Sequence, residues 1–129
     1  MQTVYRLEHS TVTSPYSSNG VNHGVYCSAG GVYCSVLRYK LLNAHNGSSH
    51  PSMIEDGICL GDKWFCCFTD LESLKWWFDC FLAELLDAGC QVVSYVVGEV
   101  VIGNSGKQAA FDEGTIFGEK TVIPQDSFL

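Results

Sequence analysis

The stretch that most restricts the fold is Thr69 to Gly89, TDLESLKWWFDCFLAELLDAG. Leu71, Leu74, Trp77, Phe78, Phe81, Leu82 and Leu85 recur at helical spacing and cover one broad arc. Glu72, Asp79, Ala83 and Asp87 gather on the opposite arc at about 100° per residue. Thr69 and Glu72 have capping-box spacing, and Gly89 supplies a left-handed stop. The pattern predicts one amphipathic helix of about five turns lying across an apolar surface.

That surface must come from the rest of the chain. Thr3–His9 alternates as a first strand, and Ser10–Asn22 reads as a Ser/Thr/Asn-rich loop. The sequence GVYCS occurs at 24–28 and again at 31–35, and suits a hairpin around a Gly-rich turn. Val36–Asn43 fits a strand extension or a short helix, with the helix favoured, and 44–52 is a loop. Lys63–Phe68 is a short apolar strand, Gln91–Ile102 a strong β-branched strand and Lys107–Phe111 its partner. The remainder reads as an edge strand and a tail. The expectation is an α+β fold in one domain, residues 1–129, in which a mostly antiparallel sheet carries one long amphipathic helix on one face.

Composition narrows the function classes. At 129 residues the chain can bury a single core, and with 47% hydrophobic and 16% charged residues disorder is not expected. No apolar run reaches the length of a membrane span, and the N-terminus lacks a signal-peptide pattern, so no membrane partner and no export are expected. The seven cysteines are odd in number, lie mostly in apolar runs and show no zinc spacing. They read as reduced thiols, and no metal is expected.

Charge is unevenly distributed. Residues 1–54 carry Arg6, Arg38 and Lys40 against Glu8, and residues 55–129 carry thirteen acids against four lysines. The formal net charge of −7 is thus +2 in the first part and −9 in the second. Direct nucleic-acid binding is disfavoured, and a basic partner surface is the natural complement. Solubility alone would also explain the acids.

No sequence motif marks a catalytic centre. His9, His23, His45 and His50 show no ligand spacing, Cys27 and Cys34 have no neighbouring His, and no phosphate-binding glycine loop occurs. Trp76 falls within the polar arc, among Glu72, Asp79, Cys80 and Ala83. Either loop 10–22 or the tail folds over it, or it is presented to a partner, as interface tryptophans are.

Five motifs in order resemble a group of small bacteriophage proteins: VYRLEH near the start, PY at 15–16, HP at 50–51, FTDLESLKWWF at 68–78 and GKQAAFD at 106–112. That group opens YR-hydrophobic-E, then has Gly-Pro-Tyr, an aromatic strand, Ser-Leu-Glu-x-Leu-x-x-Trp-Phe and a late Gln-x-x-Phe. Ser14 and Asp70 depart from it, and both GVYCS copies have no counterpart. The resemblance implies a phage or prophage product acting in a bacterial host cytoplasm. Small acidic phage accessory proteins, anti-CRISPR proteins among them, act by blocking a host or defence protein. By that analogy the chain is an inhibitor whose Glu72, Trp76, Asp79 and Asp87 face a basic, nucleic-acid-binding site, with no cofactor. The alternative rests on Arg6, Thr69 and Glu113, which are similar in order to the Arg–Ser/Thr–Glu set of ADP-ribosyltransferases. It implies NAD as cofactor. A third reading is a homodimer packed through a sheet edge.

Overall fold

The computed structural model describes residues 1–15, 17–25, 35–45, 49–58, 60–61 and 63–128. The hairpin expected from the GVYCS copies lies outside the described residues, apart from its ends. Seven strands are described: β1 (Gln2–Thr13), β2 (Asn22–Gly24), β3 (Trp64–Cys67), β4 (Cys90–Val97), β5 (Val100–Ile102), β6 (Ala109–Asp112) and β7 (Ile116–Val122). Three helices accompany them: α1 (Ser35–Ala44), α2 (Leu71–Trp77) and α3 (Leu82–Asp87).

The strands form two antiparallel sheets, ordered β2-β1-β4-β7 and β3-β6-β5. The strand expected at 91–102 is two strands, because the chain turns at Gly98–Glu99 and crosses from the first sheet into the second. Its partner makes the same crossing through a 3-10 turn at Glu113–Thr115. The sheets are joined again where Tyr5 and Phe68 exchange two backbone hydrogen bonds of 2.8 Å.

Alternation along β1 and β4 gives each strand two buried faces. Leu7, Cys90 and Val92 pack against Leu74, Trp77, Phe78, Leu82 and Leu85 of the helical layer. Val4, Val93, Tyr95 and Val97 point the other way, onto Cys67, Ala109 and Phe111 of the second sheet. The four-stranded sheet is therefore the middle of three layers. Arg6 and Glu8 share the second face and are also buried, with 4% and 0% exposure.

The single long helix is corrected. The segment is two short helices joined by a tight turn at 78–81, where Cys80 has φ +73°. The fold is a mostly antiparallel two-sheet structure with short helices. The run WWFDCF at 76–81 explains the break, since every residue in it belongs to the weaker half of the helix-propensity scale. The Leu82 amide still donates to the Phe78 carbonyl at 3.0 Å, so the apolar arc resumes in phase after the turn. The cap is corrected as well. Asp70, not Thr69, caps α2, accepting from the Ser73 amide at 2.7 Å. Gly89, at φ +100°, closes α3 as expected.

Candidate functional site: the Trp76 groove and its imidazole column

A groove of about 510 Å³ runs along the end of α2 and the turn at Cys80 to the start of α3. Its walls include Glu72, Trp76, Asp79 and Leu82. Trp76 is 48% exposed, whereas its neighbour Trp77 is 4% exposed within the core. Adjacent tryptophans thus serve opposite sides of one helix.

Trp76 is not loosely held. Its ring lies parallel to His50, with centroids 5.1 Å apart and 6° between planes, and His50 lies parallel to His45 at 4.1 Å and 6°. Trp77 meets both imidazoles edge-on, at 4.7 Å and 5.8 Å. Lys107 places its ammonium 5.1 Å from the Trp76 centroid, a cation–π contact, and donates to the Ser49 carbonyl at 3.1 Å. The His50 Nε2 atom is 3.0 Å from the Trp77 carbonyl, which can only accept, so this nitrogen carries the proton. Burial lowers the pKa of His45 to about 4, helped by the neighbouring His50 and opposed by the Trp77 carbonyl. At neutral pH His45 is uncharged.

The residues picked out for a partner surface are only partly brought together. Glu72, Trp76 and Asp79 share the groove and are exposed, but Asp87 lies on α3 and does not line it. Glu72 also has Lys75 at 3.8 Å, an exposed pair that contributes little stability. With Lys75 and Lys107 beside it, the surroundings of Trp76 are less acidic than the chain as a whole.

Arg6, Thr69 and Glu113 have separate partners. Arg6 donates from Nε to Glu8 at 3.1 Å, from Nη1 to the Cys66 carbonyl at 2.7 Å and from Nη2 to the Asn22 carbonyl at 3.0 Å. Burial works against its charge, but Cys66, Glu8 and Tyr95 more than offset this and raise its pKa. Lys120 and the Tyr95 hydroxyl complete the shell of Glu8, at 2.7 Å and 3.2 Å. Glu113 accepts from the Ser17 hydroxyl and from the Ser18 amide at 3.0 Å, and so fastens the loop after β1. These bonds outweigh its burial and hold its pKa below the ordinary carboxylate value. Thr69 is half-buried beside the Asp70 cap. The cavity lined by Arg6 has a volume of about 30 Å³ and is lined by neither Thr69 nor Glu113. That is far below the roughly 300–1,000 Å³ of ligand sites.

Sequence reasoning did not find the imidazole column. His45 and His50 lie in a loop without periodicity, and no spacing rule pairs a loop histidine with a helix tryptophan. Among the described residues, no group of three or more His, Cys, Asp or Glu side chains could hold a metal ion. No helix among them is long and apolar enough to cross a membrane.

The fold and groove define a small three-layer protein, built on an antiparallel sheet, that presents one braced aromatic side chain. The family model described as Bacteriophage T4 Y00F protein matches residues 1–121, and the chain belongs to that family. Neither a curated protein nor a solved structure matches it.

Proposed function

We propose that this phage-family protein acts inside the bacterial host by binding a host or defence protein and blocking it. The observation that carries the reading is Trp76, half-exposed yet braced by His50 and Lys107 on the wall of an open groove. A large aromatic held in one orientation loses little conformational freedom on binding, which is what interface anchors need. The net charge of −7 favours a basic partner, such as a protein that itself grips nucleic acid. Glu72 and Asp79 sit beside the anchor, and Asp87 adds charge further along the helical layer.

The test begins with tagged protein in infected host cells and identification by mass of what co-purifies. The purified pair is then titrated with and without nucleic acid. Trp76→Ala should weaken binding by about 2 kcal/mol or more, roughly 30-fold, mainly through faster dissociation. Glu72→Lys with Asp79→Lys should slow association, and added salt should do the same. Nucleic acid should compete with the protein for its partner. Binding that survives all three substitutions, or a partner that still holds nucleic acid when saturated, would overturn the reading.

A further inference from the structure

Beside the imidazole column lies a second pocket, of about 270 Å³. His45, His50 and Trp77 form aromatic walls, and Leu42 and Met53 stand at its edge. Its size is just below the roughly 300–1,000 Å³ typical of drug-sized ligands, which limits it to about one ring system and excludes a dinucleotide.

A buried polar group in its wall is Gln108, 6% exposed. Its amide nitrogen donates to the Pro51 carbonyl at 2.7 Å and to Asp56 at 3.2 Å, which fixes the orientation of the amide. Its carbonyl oxygen has no donor among the described residues. With the amide nitrogen committed as donor to both partners, the oxygen is left to accept, so a ligand that supplies a donor there is favoured. The surrounding frame is rigid. Asp56 accepts from the Ser105 amide at 2.6 Å and hydroxyl at 2.8 Å, tying the loop that carries Pro51 and Met53 to the β5–β6 turn. Gly103 permits that approach, since a Cβ there would lie 2.1 Å from the Asp56 carboxylate.

We infer that this pocket binds one aromatic ring bearing a hydrogen-bond donor, of the size of phenol or indole, set against the aromatic wall with its O–H or N–H given to the Gln108 oxygen. The inference does not depend on the Trp76 groove binding a protein. The ring could arrive free or on a tyrosine or tryptophan side chain, and the two sources share the same chemistry.

The experiment uses the full chain and two readouts. Calorimetric titration compares phenol, toluene and N-acetyl-tyrosinamide. Phenol should bind about tenfold more tightly than toluene, which has the ring without the donor. N-acetyl-tyrosinamide binding as well as phenol assigns the site to a side chain, and phenol binding alone assigns it to a free small molecule. The second readout is Cys66, which lines the same pocket, whereas the exposed Cys80 does not. Saturating phenol should slow iodoacetamide labelling of Cys66 and leave Cys80 unchanged, as resolved by peptide mass. Leu42→Trp, at the pocket edge, should fill the pocket and abolish both effects without touching the core. The inference fails if toluene and phenol bind alike, if none of the probes binds, or if Cys66 labelling ignores phenol. None of these failures bears on binding at Trp76.

Discussion

Strand β1 and the segment from Thr69 to Gly89 both read as strong elements in the sequence, yet they fold by different rules. In β1 the period-2 pattern holds through Val4–His9, where both faces are buried, one against helices and the other around the Arg6–Glu8 pair. A one-residue slip there would exchange a charged face for an apolar one, so the register is fixed. In 69–89 the hydrophobic arc is equally clear, but the backbone between its halves is not helical. Burial of an arc specifies which side chains face the core. It does not guarantee that one continuous helix carries them.

The largest effects should come from breaking β1's charged face and from cutting into the helical layer. Glu8→Ala leaves the Arg6 guanidinium buried without its carboxylate and frees Lys120, and should destabilise by about 3–5 kcal/mol in denaturant unfolding. A loss below about 1 kcal/mol would mean the network is decorative. In the helical layer, Phe78→Ala, at a fully packed position, should destabilise by about 3–5 kcal/mol, and Phe81→Ala, half-buried on the turn, by only about 1–2 kcal/mol. Equal losses would restore the continuous helix, in which both rings sit mid-arc.

A smaller effect separates the loop histidines from both regions. The folded pKa of His45, about 4, lies below the ordinary value of 6.5, so the unfolded chain binds the extra proton first. The stability this group contributes is therefore complete above pH 6.5 and falls as pH drops towards 4. With His45 half-buried, solvent limits the loss to about 1 kcal/mol. His45→Gln should flatten the melting temperature between pH 6.5 and 5, above the range in which ordinary carboxylates titrate. An unchanged slope would show that His45 titrates as a free imidazole.

These contrasts explain what the sequence made legible. The Thr3–His9 part of β1, the antiparallel pairing, the Gly89 stop and the identities of the buried helical residues follow from periodicity and end signals, whereas α1 carries no charged end signals and the last residues of β1 read as loop. The break at Cys80 has a local signal too, in the low propensity of WWFDCF, but the strength of the apolar arc outweighs it on any helical wheel. The groove beside Trp76 runs past that break. The His45–His50–Trp76 column and the Gln108 pocket depend on contacts between a loop, a helix and a turn distant in sequence, for which no local pattern exists. Arg6, on β1, and Glu113, in the 3-10 turn after β6, draw attention only through a similarity of order, and the bonds that hold them are equally non-local.

The central claim is that Cys80 sits in a left-handed turn that divides the helix beside the Trp76 groove. It is tested most directly by comparing the unfolding free energies of Cys80→Gly and Cys80→Ala. At φ +73° alanine is strained and glycine is not, so the glycine variant should be more stable by about 1 kcal/mol. In a continuous helix the order reverses, with alanine favoured by about 1 kcal/mol. A more stable alanine variant would contradict the account.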